Sequence, residues 1–175
     1  RYRLRPTYNR AGAPERVDLV GPLNSHDQGN VRPFVQRVAY NAKGQRSLIA
    51  YGNGVLTRYA FDAATFRLAR QRSERFSLNA SDPLVYQCQG AALQDITYGY
   101  DLAGNLLSLQ DATPGCGVAN NAESLLYGSP LREKLSAGDA LIRRFEYDPL
   151  YRLTAASGRE ASNIGSPRPW DDVTR

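Results

Sequence analysis

The sequence predicts an all-β chain made of antiparallel hairpins, with little helix. Three observations carry that expectation. A Tyr or Phe followed by Asn or Asp recurs five times along the 175 residues. In three of the five copies a glycine stands four places past the aromatic, where a tight reversal needs a left-handed residue. The stretches on either side alternate apolar and polar with the period of two that a strand imposes.

The copies are "TYNRAG" (Tyr8, Asn9, Gly12), "AYNAKG" (Tyr40, Asn41, Gly44), "AFDAAT" (Phe61, Asp62), "GYDLAG" (Tyr100, Asp101, Gly104) and "EYDPLY" (Tyr147, Asp148). The intervals between aromatics are 32, 21, 39 and 47 residues, which excludes a rigid solenoid period and fits one unit of about 20 residues with insertions. Each copy reads as strand, turn, strand. The Asn or Asp side chain bonds the backbone two residues on, and the glycine closes the loop. In "ITYGYDLAGNLLSLQD" the rings of Tyr98 and Tyr100 share one face, and the return strand sets Leu107 and Leu109 on one face and Leu106 on the other. In "FEYDPLYRLTAASGRE" Phe145 and Tyr147 share a face, Asp148-Pro149 begins the turn, and Arg152-Leu153 leads the return.

The copies are not uniform. Thr65 stands where the third copy lacks its glycine, and its Arg67-Leu68 pair comes one residue late. Tyr151 occupies the glycine place of the last copy, and Pro14 weakens the return strand of the first. A separate hairpin signal, Asn53-Gly54, lies between "SLIAY" and "VLTRYAF", so residues 35 to 70 read as a meander. A two-turn helix is expected in "NNAESLLYG", capped by Asn121 and stopped by Gly128. Residues 77 to 94 and 110 to 123 read as loops, and 161 to 175 as a linker or extended passage.

Composition narrows the function classes. No apolar run approaches the roughly 18 residues of a membrane-spanning helix. There is no methionine, so the chain reads as one interior segment, 1–175, of a longer polypeptide. The net charge of +5 is carried by arginine, Lys43 and Lys134 being the exceptions among 22 basic residues. Those arginines are scattered among acids rather than gathered on one stretch, which argues against a nucleic-acid interface.

Catalytic and metal sites are not expected. His26 is the only histidine and has no ligand or triad partner nearby. Asp171 and Asp172 are adjacent and cannot face each other across a substrate. No phosphate-cradling glycine motif occurs. Asp62, Asp101 and Asp148 stand singly in their loops, as turn caps do, whereas a calcium loop concentrates several acids. No cofactor is expected. Cys88 and Cys116 are either a bridge across the segment around Tyr100 or two free buried thiols.

The aromatic-Asp-x-x-Gly-Arg/Asn-Leu unit resembles the Rhs or YD repeat. The stretches "YNAKGQRSLIAYGNGVLTRYAFDAATFRL", "YGYDLAGNLLSLQD" and "FEYDPLYRLTAASGRE" carry the resemblance, which runs from about residue 31 to residue 173 and includes "PRPWDDVTR". Residues 1–30 are a weakly matching lead-in. The likeness is greatest to the Rhs region of bacterial insecticidal toxin complexes and virulence-plasmid proteins. It implies a curved, hollow β-shell enclosing a C-terminal toxin, and with it a secreted, non-enzymatic segment. The implied partners are the rest of the shell, its cargo and other toxin-complex subunits. A self-cleaving aspartate region known in such shells has no counterpart here. The alternative reading is a secreted or cell-surface adhesive module that binds glycans or a partner protein.

Overall fold

The computed structural model describes residues 2–21, 30–79, 81–82 and 85–158. His26, Asp171, Asp172 and the expected linker at 161–175 lie outside them. Ten strands follow one another: β1 (Arg3–Tyr8), β2 (Pro14–Val20), β3 (Val31–Tyr40), β4 (Arg46–Tyr51), β5 (Val55–Phe61), β6 (Leu68–Leu78), β7 (Tyr86–Tyr100), β8 (Leu106–Asp111), β9 (Leu141–Tyr147) and β10 (Leu153–Ala156). They form one sheet whose spatial order is the chain order, every neighbouring pair antiparallel. The meander read from residues 35 to 70 therefore extends over both flanks.

This topology sorts the connections. With strands alternating in direction, the five aromatic-Asn/Asp turns join β1 to β2, β3 to β4, β5 to β6, β7 to β8 and β9 to β10, so all five lie at one end of the sheet. The other connections lie at the opposite end. The longest of them, between β8 and β9, contains a 3₁₀ turn (Ala122–Leu126) and α1 (Leu131–Ala137).

Register shifts mark the motif end. One falls in each motif hairpin, at Thr7/Tyr8, Ala39/Tyr40, Ala60/Phe61 and Gly99/Tyr100, and on the return strand at Leu153/Ala155; others lie away from the turns at Val17/Asp18, Val35/Arg37 and Ser73/Arg75. One extra residue in one arm of a hairpin is a β-bulge, which sharpens the local twist. In the fourth hairpin the extra residue is Leu107, because Gly99 faces Ser108 and Tyr100 faces Leu106.

Three local expectations are corrected. Residues 77 to 94 are not a loop: β6 and β7 continue through most of that span, joined near residues 79 to 85. The pairing carries a wide irregularity, four residues of β7 (90 to 93) standing opposite Glu74 alone, with Gly90 left-handed at φ 73°. Within 110 to 123, β8 runs on to Asp111 and the 3₁₀ turn starts at Ala122. The helix expected over 121 to 128 is a single 3₁₀ turn, although Asn121 caps it, its side chain accepting from the Glu123 N–H. The α-helix comes one step later, and Gly138 in the left-handed conformation (φ 79°) ends it.

A single sheet buries little apolar surface, and the core divides into two small clusters. One joins Ala50, Leu56 and Phe76 across β4 to β6, with Leu48 and Tyr86 packed beside them and the Phe76 and Tyr86 rings edge-on at 5.1 Å. The other is Leu135 of α1 against Ala140 and Ile142, flanked by Tyr127 and Leu131. Between the clusters the sheet is held by charge. Glu74 and Asp95 are buried and bridged by arginines on the same face: Arg58 and Arg72 reach Glu74, while Arg70 and Arg72 reach Asp95. Asp18 is held in the same manner by Arg5 and Arg16. Hydrogen bonds from Arg72 and Arg70 keep the carboxyls of Glu74 and Asp95 below their ordinary range against the opposing effect of burial.

Leu56 is 2% exposed in the first cluster, so Leu56→Ala is expected to cost about 3 kcal/mol through lost burial and a residual cavity. Leu107→Ala, at a residue 42% exposed, is expected to cost under about 1 kcal/mol. Urea midpoints of the two variants measure the difference.

Candidate functional site

Each motif turn is built on one side-chain oxygen. At the end of a strand the chain reverses within four or five residues, and the backbone N–H groups inside the reversal have no strand partner. The Oδ1 of the Asn or Asp accepts them. In turn 9–13, Asn9 Oδ1 accepts from the N–H groups of Ala11 and Ala13, both at 3.0 Å. In turn 41–45, Asn41 Oδ1 accepts from Lys43 (2.9 Å) and Gln45 (3.0 Å). Asp62 accepts from Ala64 and Thr65, Asp101 from Gly104 and Asn105, and Asp148 from Leu150 and Arg152. Every turn is also closed by the backbone, as where Asp101 N–H donates to the Asn105 carbonyl and Asp148 N–H to that of Arg152.

The left-handed position is occupied in all five. Gly12, Gly44 and Gly104 take it at φ 78°, 75° and 110°. Tyr151 takes it in the last turn at φ 60°. The third turn is one residue longer, and Phe66 takes the place at φ 57°, which is why Arg67-Leu68 comes late in the sequence. A β-carbon in this conformation is strained, so two of the five turns hold a cost that the surrounding hydrogen bonds offset.

The residue after the left-handed one reaches back in three copies. Asn105 Nδ2 donates to Asp101 Oδ2 (2.7 Å), Arg152 Nε to Asp148 Oδ2 (2.7 Å), and in the second turn Asn41 Nδ2 donates to Gln45 Oε1 (2.9 Å). Leu153 then begins β10, opposite Tyr147. These bonds hold the Asp carboxyls below their ordinary range. The first cause is the Thr65 N–H for Asp62, the Asn105 side chain for Asp101 and the Arg152 N–H for Asp148.

Successive turns are linked to one another. The Tyr40 hydroxyl donates to the Pro14 carbonyl (2.7 Å), five residues past Asn9. The Tyr147 hydroxyl donates to the Leu106 carbonyl (3.1 Å), five residues past Asp101. Phe61 has no hydroxyl, and there Gln45 Nε2 donates to the Phe66 carbonyl (2.8 Å) while Lys43 Nζ lies 4.4 Å from the centre of the Phe66 ring. Between the third and fourth turns Arg67 donates to the carbonyls of Asp101 (2.6 Å) and Leu102 (3.1 Å), and its guanidinium lies over the Tyr100 ring. Lys43 and Gln45 lie outside the sequence signature, and Arg67 enters it only as the late member of an Arg-Leu pair. The signal available for them was their spacing, since they lie two, four and five residues past the Asn or Asp.

The signature residues therefore converge on one row of turns, and between the third and fourth turns Asp62, Tyr100 and Asp101 line an open cleft with Arg67. Their carboxylates are spent on turn N–H groups and neighbouring side chains. Among the described residues no group of three or more His, Cys, Asp or Glu side chains is placed to hold a metal ion. No disulfide joins the two cysteines. Cys88 is exposed in β7 opposite Phe76, and Cys116 lies past β8 with its Sγ toward the Asp111 carbonyl and its N–H bonded to Thr113. The bridge considered from sequence is not formed, because each cysteine is fixed by a different neighbour. Nor are both thiols buried.

Ten antiparallel strands joined through this recurrent turn define a YD-repeat sheet of the Rhs type. The chain is an Rhs-type relative of the Tc toxin subunits. It is 32% identical over 165 residues to toxin subunit YenC2 of Yersinia entomophaga, covering 91% of this chain and 15% of that subunit. It is 34% identical over 136 residues to toxin subunit YenC1 of the same organism, covering 78% of this chain and 12% of that one. The chain thus spans about one seventh of the length of these relatives. Among solved structures, TcdB2-TccC3-Cdc42 matches with a TM-score of 0.62 at 25% identity, and the Photorhabdus luminescens Tc holotoxin pore with 0.64 at 25%. These cover 94% and 93% of this chain and 6% of the matched chain in each case. No family model matches the sequence.

Two predictions follow from the turn chemistry. Tyr40→Phe and Tyr147→Phe each remove one turn-to-turn hydrogen bond while keeping the ring, and each is expected to lower stability by about 1 kcal/mol in denaturant titration. The second concerns acid. A carboxyl whose folded pKa is depressed adds stability above its unfolded value, and that contribution is lost as pH falls through the folded value. Turns 62–67, 101–105 and 148–152 carry Asp, whereas 9–13 and 41–45 carry Asn. Amide exchange at Asn105 and Arg152 should therefore accelerate on acidification to about pH 3, relative to the intrinsic rate, more than at Gln45.

Proposed function

We propose that this chain is a stretch of wall in an Rhs-type shell: a non-enzymatic, hydrogen-bonded sheet that separates an enclosed C-terminal toxin polypeptide from proteases and from the producing cell. The observation that carries the reading is the uninterrupted meander, with the same linked turn recurring along one end and the longest connection at the other. Such a sheet grows by adding hairpins, and each added hairpin meets its neighbour through the same turn-to-turn contact. Loops at the opposite end can lengthen without disturbing that row, as the β8 to β9 connection does.

The relatives support the same reading. YenC1 and YenC2 are toxin subunits, and one matched structure is TcdB2-TccC3 without a hypervariable C-terminal region, at 24% identity with a TM-score of 0.63. A constant wall followed by a variable C-terminal region is what a container with exchangeable cargo requires. The partners on this reading are the remainder of the shell, its cargo and other toxin-complex subunits, and the protein is secreted.

The test is protease challenge of the full-length polypeptide. The C-terminal region is expected to survive at protease levels that digest it when expressed alone. Replacing Asp101 and Asp148 by Ala should make it digestible, because two adjacent turns of the wall lose their caps. A C-terminal region digested equally in the parent overturns containment, and saturable glycan binding by the protein would favour an adhesive module instead.

A further inference from the structure

The sheet face that carries Glu74 and Asp95 holds more guanidinium than these carboxylates consume. Cross-strand register sets four side chains at the corners of a square: Arg58 stands directly opposite Arg72, and Ala60, the next residue of β5 on that face, stands directly opposite Arg70. Paired residues in such a ladder lie about 5 Å apart, and i, i+2 neighbours along a strand about 7 Å. Three corners are arginine. The fourth is only a methyl group, so an open hollow of about 420 Å³ lies beside Ala60, lined by Arg58, Arg70 and Arg72 together with Ser47 and Tyr59.

Arginines this close repel unless an anion lies between them. Glu74 stands two residues past Arg72 and Asp95 directly across from it, so both carboxylates flank Arg72 and neither adjoins Ala60. Arg58 reaches Glu74 through Nη2, and Arg70 takes Asp95 through Nε and Nη2, which leaves Nε and Nη1 of Arg58 and Nη1 of Arg70 without a partner among the described residues. Arg72 spends both terminal nitrogens on the two acids, and its Nε is buried without a partner among the described residues. Donors exceed acceptors. Lys134 of α1 adds a further positive charge acting on the Asp95 carboxyl.

We propose that the hollow beside Ala60 is an oxyanion site that takes a phosphate or sulfate group, free or esterified, between Arg58, Arg70 and Arg72. The class follows from the donors. A carboxylate presents two oxygens in one plane and is fully met by the fork of a single arginine, as Asp95 is by Arg70. A tetrahedral group has an oxygen for each of several donors arriving from different corners, and its greater charge offsets the surplus of cations. The side chains of Arg58 and Arg70 are 51% and 48% exposed, so a ligand reaches them from solvent without opening the sheet. The site uses no turn cap and no strand edge, and it is independent of what the wall encloses.

Calorimetric titration of the full-length polypeptide with inorganic phosphate at low ionic strength tests it. Saturable binding is expected with a Kd of about 1 mM or below. Ala60 is exposed near the end of β5, so the fold tolerates polar substitution there. Ala60→Glu places a carboxylate in the hollow and should weaken phosphate binding about tenfold or more, whereas Ala60→Ser should leave it within about twofold. No saturable binding in the parent, or binding that Ala60→Glu leaves unchanged, overturns the proposal. Acetate bound as tightly as phosphate overturns the tetrahedral class. Glycerol 3-phosphate separates the two sources: binding at least as tight as that of phosphate supports an esterified group as the occupant, and its exclusion supports the free ion.

Discussion

When an extended strand reverses within four residues, the N–H groups inside the reversal point at nothing the strands can supply. In this protein one Asn or Asp oxygen accepts two of them at each of the five motif turns, and a left-handed residue closes the path. That local constraint fixes where each hairpin ends. It also fixes which residue stands five places past the Asn or Asp, and that residue supplies the contact to the next turn in three of the four junctions, with Gln45 supplying the other. The sheet is therefore ordered from its turns inward.

The consequence is a fold that depends less on a packed core than most of its size. Its two apolar clusters are small, one across β4 to β6 and the other between α1 and β9. The span between them is bridged by Glu74 and Asp95 under Arg58, Arg70 and Arg72. A buried carboxylate without its arginines would be costly, so this network makes β5, β6 and β7 hold one register at the same time as it replaces apolar packing. Thr57 and Ser73, hydrogen-bonded at 2.9 Å on the opposite face, keep the same pair of strands aligned.

A wall and a site differ in what they ask of sequence. A catalytic centre needs unlike residues brought together once, whereas a wall needs one contact repeated with tolerance. Here the contact between turns is made by a hydroxyl twice, by an amide once and by a guanidinium once, all donating to a backbone carbonyl. The chemistry varies and the geometry does not. That tolerance accounts for copies lacking glycine, such as those with Phe66 and Tyr151, remaining members of the row.

What the sequence determined by itself is local: the hairpin class, the five turns and the role of Asn or Asp in each, because these depend on bonds spanning no more than five residues. Pro14 looked like a defect and Arg67 like a slipped register; both are turn-to-turn contacts, and only the arrangement of neighbouring hairpins shows it. The strands within residues 77 to 94 were decided by tertiary structure too, since the four residues 90 to 93 opposite Glu74 alone break the alternation along β7, and the ladder with β6 on either side keeps it a strand. The α-helix at Leu131–Ala137 is a similar case, seven residues being too few to persist without Leu135 packed against Ala140 and Ile142. That no disulfide joins Cys88 and Cys116 likewise follows from position in the sheet, because pairing two thiols depends on distance through space and the sequence records only distance along the chain.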